Sequence, residues 1–116
     1  MADTTHTSTA SLDGVLDAKI KFEKLTEREG PIIVNEITAD APGCGWKIAL
    51  DMADVTFMAS AGIGAIVTLH KRCKANGGKL AVYGLSDDIL QLLKLTRLNK
   101  LFTIADDKDA AIKALK

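Results

Sequence analysis

A chain of 116 residues, 47% hydrophobic and 26% charged, can bury a core without disulfides or structural metals. Fifteen Lys and Arg balance fifteen Asp and Glu, which argues against a dedicated nucleic-acid binder, whose phosphate contacts need a basic excess. Cys44 and Cys73 lack CxxC spacing, and with only His6 and His70 beside them no metal-site pattern exists. No secretion signal opens the chain, and its longest uncharged stretch, residues 55–69, is too short to span a bilayer. The expectation is a reduced, cytoplasmic protein of one domain over residues 1–116, without cofactor or membrane insertion. Basic clusters at Lys71, Arg72, Lys74 and Lys79, and at Lys94, Arg97 and Lys100, read as solvated helix faces.

Residues 1–10 are rich in Thr, Ser and Ala and form either a frayed end or a weak edge strand. Asp13-Gly14 signals a turn. Residues 15–22 alternate, with Leu16, Ala18, Ile20 and Phe22 on one face and Asp17, Lys19 and Lys21 on the other, the pattern of a half-buried strand. A hairpin is expected, then a polar connection over residues 24–30. Pro31 suits a first helical turn, and Ile33 with Ile37 has helical spacing through Ala39. The β-branched content keeps a strand open over 31–39, and the helix is preferred because a crossover must precede the next strand.

Pro42-Gly43-Cys44-Gly45 ends that segment, and Trp46 to Asp51 reads as an interior strand, nearly continuous in apolar character. After a small-residue junction opened by Ser60, residues 65–76 read as a helix that carries Ile63, Ile66, Val67, Leu69 and Cys73 toward the core, and Asn76-Gly77-Gly78 stops it. Lys79 to Tyr83 is a strand. Ser86-Asp87-Asp88 caps a helix with Ile89, Leu92 and Leu93 inside. A short strand over residues 101–104 and a helix opened by Asp106-Asp107 close the chain. Helices alternating with strands after a hairpin imply an α/β fold: a five-stranded, mixed but mostly parallel sheet with helices mainly on one face.

Two catalytic readings fail on spacing. Gly62-Ile63-Gly64 lies between strand and helix, but a dinucleotide fingerprint wants a small residue where Val67 stands and an acid after the next strand. A nucleophile elbow at Ser60 would need Gly where Met58 stands, and neither His70 nor His6 is a credible base.

The stretch Asp51-Met52-Ala53-Asp54-Val55-Thr56-Phe57-Met58-Ala59-Ser60-Ala61-Gly62-Ile63-Gly64 resembles the signature of the STAS domain family, the anti-sigma factor antagonists: a strand ending in Asp or Asn, a turn, an apolar pair, then Asp-Ser-Ser-Gly-Leu-Gly. The resemblance continues through Asn76-Gly77-Gly78-Lys79-Leu80 and through residues 92–102, and is thinnest over residues 1–45. It implies a STAS-type fold without catalysis or metal. It implies Ser60 as the phosphoacceptor of an anti-sigma factor serine kinase, bound by the unphosphorylated form, released on phosphorylation and reset by a serine phosphatase. Met58, Ala59, Ala61, Gly62 and Ile63 would form the partner surface. Ala59 and Ala61 replace the family's acid and second hydroxyl. Three alternatives therefore stay open: Ser60 as a helix cap only, a STAS-type adaptor or sensor with constitutive binding, and a small-molecule enzyme. The last would need a deep pocket with converging polar groups. Nothing in the sequence sets the oligomeric state.

Overall fold

The computed structural model describes residues 7–115. Strands β1 (Thr7–Leu12) and β2 (Val15–Ile20) form an antiparallel hairpin with Leu12 opposite Val15. The Asp13-Gly14 turn between them has positive φ at both residues, 54° and 78°, the geometry that matches strand twist in a two-residue hairpin. Residues 7–10 are thus strand; residues 1–6, including His6, lie outside the described residues.

Residues 24–30 are more than a polar connection. Lys24–Leu25 forms a short strand, β3, and Leu25 is fully buried. Thr26 and Glu29 then close the turn that precedes the next helix. Oε1 of Glu29 accepts from the Thr26 N–H at 3.0 Å and from its hydroxyl at 2.6 Å, while the Thr26 hydroxyl accepts from the Arg28 N–H at 3.3 Å. That hydrogen bond from Thr26 holds the Glu29 carboxyl below its ordinary pKa. Helix α1 (Gly30–Asp40) follows, so the helical reading of residues 31–39 holds and its buried stripe is Ile33, Val34 and Ile37.

A 3-10 turn over Ala41–Cys44 leads to β4 (Lys47–Asp51), which starts one residue later than expected because Gly45 and Trp46 are both left-handed. Then come β5 (Phe57–Met58), α2 (Ser60–Ala75), β6 (Lys79–Tyr83) and α3 (Asp87–Leu95), the last capped by Ser86 Oγ accepting from the Ile89 N–H. The expected strand over 101–104 shortens to β7 (Thr103–Ile104), because Arg97 is left-handed and Leu98–Lys100 makes a 3-10 turn. Helix α4 (Lys108–Leu115) begins where Asp107 accepts from the Ala110 N–H at 2.8 Å.

The main sheet has the order β1-β2-β4-β6-β7, antiparallel at β1/β2 and parallel elsewhere. Side-chain alternation divides its interior strands between two layers. Leu16, Ile20, Ile48, Leu50, Leu80 and Val82 face α1, α2 and α3, while Val15, Ala49, Ala81 and Tyr83 face Ala111 and Leu115 of α4. Burying each large aliphatic chain contributes roughly 1.5–3 kcal/mol, so the bulk of the core lies on the three-helix side. The second layer explains the apolar continuity of β4: both of its faces are covered. Asp17, assigned to solvent by the alternation, accepts from the Tyr83 hydroxyl and pairs with Lys108 at 3.4 Å. Val67 is only half-buried; the inward stripe of α2 runs through Gly62, Ile66, Leu69 and Cys73. Burial pushes the Cys73 thiol up to about 11, which keeps it protonated and inert.

Candidate functional site

The chain between β4 and α2 is held from two sides. The Asp51 carboxylate accepts from the Ala53 N–H at 3.0 Å, and Met52 and Val55 anchor the turn in the core. β5 then pairs in parallel with β3, Lys24 beside Phe57 and Leu25 beside Met58, in a two-stranded sheet of its own. The carbonyl of Glu23 accepts from Thr56 and Phe57, and that of Leu25 accepts from Ala59 at 2.9 Å. This clamp needs Gly62. A Cβ there would lie 2.3 Å from the Leu25 carbonyl oxygen, closer than any side chain tolerates.

Alternation across β5 decides what is presented. Met58 turns inward and is 5% exposed, while Phe57 turns outward and is 53% exposed. Of the residues expected to meet a partner, Met58 and Gly62 are buried and Ala59 and Ile63 half-buried, which leaves Ala61 exposed beside Ser60. Met58 has little surface to offer, and the aromatic surface at this junction belongs to Phe57. No β-strand period signals Phe57, because a two-residue strand is too short to show alternation by itself. Gly30, Pro31, Val34, Ala61, Gly64 and Ala65 line a groove of about 430 Å³ between α1 and α2.

Ser60 is the first residue of α2, and the cap position is Ala59, extended at φ −83° and ψ 169° with no side chain able to accept. The cap-only reading of Ser60 is therefore corrected by one residue: a hydroxyl caps from the position before the helix. The Ser60 side chain is exposed and has no hydrogen-bond partner among the described residues. The first amide accepted by the cap carbonyl is that of Ile63, at 3.0 Å. The amides of Ser60, Ala61 and Gly62 are the unpartnered donors with which every helix begins, and no acidic residue lies in this turn. They carry the positive end of the helix dipole.

His70 lies on the same helix about 15 Å further along, from the rise per residue. It cannot reach Ser60 as a base. Burial, and then the charge of Lys74, hold its pKa below the ordinary value, so the imidazole is neutral near pH 7. Among the described residues no cluster of three or more His, Cys, Asp or Glu could hold a metal ion, and no helix is long and apolar enough to cross a membrane.

A five-stranded mixed sheet with this order, and a serine opening the helix after a two-strand clamp, define a small α/β module. The chain belongs to the STAS domain family, whose family model matches residues 6–111. An anti-sigma-B factor antagonist of Listeria monocytogenes is 30% identical over 60 residues, 52% of this chain and 53% of the relative, so the match spans about half of each. The structure of an anti-sigma-factor antagonist (STAS) domain protein from Planctomyces limnophilus superposes with a TM-score of 0.84 at 21% identity, covering 98% of this chain and 100% of the other. The Bacillus cell fate determinant SpoIIAA in its phosphorylated form superposes with a TM-score of 0.69 at 15% identity, covering 93% and 98%. At these identities the structural likeness is one of fold, and the expected STAS-type fold is the one observed.

Proposed function

We propose that this chain is an anti-sigma factor antagonist whose partner is an anti-sigma factor serine kinase, bound while Ser60 is unphosphorylated and released once Ser60 is phosphorylated, with a serine phosphatase resetting the cycle. The carrying observation is the Ser60 hydroxyl, exposed and unbonded at the first turn of α2 beside the exposed Phe57. The antagonist relative in Listeria and the phosphorylated Bacillus neighbour support the reading. Phosphate adds about −1.5 to −2 charges and three acceptor oxygens at neutral pH. At the first turn of a helix that charge is accommodated by the free amides and the dipole, so the domain stays folded. Within an apolar contact centred on Phe57 and Ala61 the same charge opposes association, because it must be desolvated without a counter-charge.

Intact-mass measurement after incubation with ATP and lysate of the source cells tests this, with Ser60→Ala as control. Addition of one phosphate to the native chain alone is expected. No addition, in a lysate that phosphorylates another antagonist, overturns the switch. A second reading has its own observation. Ala59 and Ala61 stand where family members carry an acid and a hydroxyl, and a STAS-type adaptor binding constitutively through Phe57 needs neither. It predicts partner capture that Phe57→Ala abolishes and Ser60→Asp leaves unchanged.

A further inference from the structure

A cavity lies away from Ser60, bounded by the second half of α2, β6, α3 and the turn into β7. Its volume is about 660 Å³, within the range of roughly 300–1,000 Å³ typical of small-molecule sites. Lys74, Lys79, Lys94 and Lys100 line it, and no Asp or Glu does. All four lysines are exposed at their outer ends, and none has an ion-pair partner among the described residues. In sequence these cations belong to two separate basic runs, each of which reads as a solvated helix face. The fold converges them on one hollow.

Four like charges around a concave, partly apolar surface repel one another, and a cleft with low-dielectric walls concentrates their field on whatever enters. The inner wall is aromatic. His70 and Phe102 are 7% and 5% exposed, with ring centroids 6.1 Å apart and planes tilted by 55°. Leu101, 42% exposed beside Lys100, extends the apolar lining toward solvent. The Nδ1 atom of His70 is buried without a hydrogen-bond partner, an uncommon state for a buried ring nitrogen in a finished core.

We propose that this cavity binds a small amphiphilic anion, a phosphate or carboxylate carried on a flat apolar body, with the body against Phe102 and His70 and the head among Lys74, Lys79, Lys94 and Lys100. The charge complement favours an anion, the apolar wall favours a ligand with more than a bare ionic head, and the volume limits it to a small molecule. The site sits toward the opposite end of α2 from the phosphoacceptor, so its occupancy is separable from the state of Ser60.

Titration of the 15N-labelled protein with 1-naphthyl phosphate, 1-naphthol and inorganic phosphate separates the contributions. Saturable shifts confined to residues of this cavity are expected with naphthyl phosphate, with affinity at least about tenfold above that for either fragment alone. The paired substitution Lys94→Glu and Lys100→Glu is expected to weaken binding more than about tenfold, and Lys113→Glu on α4 to leave it unchanged. Each like-charged lysine lost from around a bound phosphate removes direct attraction in a cleft of low dielectric. The milder pair Lys94→Gln and Lys100→Gln keeps the test open if the charge reversal unfolds the chain. On binding, the His70 pKa is expected to rise, since the added negative charge opposes the influence of the surrounding lysines. Equal binding of 1-naphthol would reduce the cavity to an apolar patch. Shifts elsewhere, or affinity unchanged in the glutamine pair, would overturn the proposal.

Discussion

The two ends of helix α2 are built to opposite specifications. At its C-terminus the carbonyls of Arg72, Cys73 and Lys74 all accept hydrogen bonds from the residues that stop the helix. The Asn76 side-chain amide donates to the Arg72 carbonyl at 2.8 Å, Gly77 donates to Lys74, and Gly78 donates to Cys73 at 2.7 Å, while Arg72 and Lys74 complement the dipole. At its N-terminus the cap is an alanine, three amides are left open, and the backbone is clamped by Leu25 instead. One end stops the helix; the other is left open. Unsatisfied donors beside an exposed serine are a local cost in stability, and the rest of the core offsets it.

That contrast can be broken most severely at Gly62. Gly62→Ala puts a methyl group into the Leu25 carbonyl and is expected to cost about 3 kcal/mol despite the better helix propensity of Ala, read as a lower urea midpoint. Gly64→Ala, with open space around its Cβ, is expected to stabilise by about 0.5–1 kcal/mol in the same measurement. At the closed end, Gly77 has φ +78°, so Gly77→Ala should lose about 1 kcal/mol. Supplying the missing acceptor at the open end should move stability the other way. Ala59→Asp places a carboxylate at the cap and is expected to add about 1 kcal/mol, and it restores the acid that the family signature carries. A loss in that variant would contradict the uncapped geometry.

The smallest effect is diagnostic for Ser60 itself. Because its hydroxyl caps nothing, Ser60→Ala should change stability by less than about 0.5 kcal/mol, whereas a true capping serine would cost about 1 kcal/mol. His70 adds a pH signature near the other end. Its pKa is lower in the folded state than in the unfolded chain, so the unfolded state binds more protons below about pH 6.5. Stability should therefore fall as pH drops through that value toward the folded pKa, and this part of the slope should vanish in His70→Phe.

Much of this architecture is legible along the chain because it rests on local physics. Alternation in β2, the Asp13-Gly14 turn, the Ser86 cap and the Asn76-Gly77-Gly78 stop each act within a few residues, and each formed as its residue types require. The junction around Ser60 was legible as a motif but not as a surface. Whether Phe57 or Met58 faces outward depends on pairing with Leu25, more than thirty positions earlier in the chain, and no local period announces it. The Thr26–Glu29 turn lies hidden within a charged run.

The sequence by itself determined the α/β alternation, the mixed sheet, the family signature and the serine at the start of the central helix. These follow from side-chain period, turn chemistry and short-range spacing. Only the tertiary structure decided that a fourth helix covers the second face of the sheet, that Met58 is core and Phe57 surface, and that lysines from two distant runs share one cavity. Those outcomes depend on which elements become neighbours, and crossover connections bring together residues whose separation along the chain carries no sign of it.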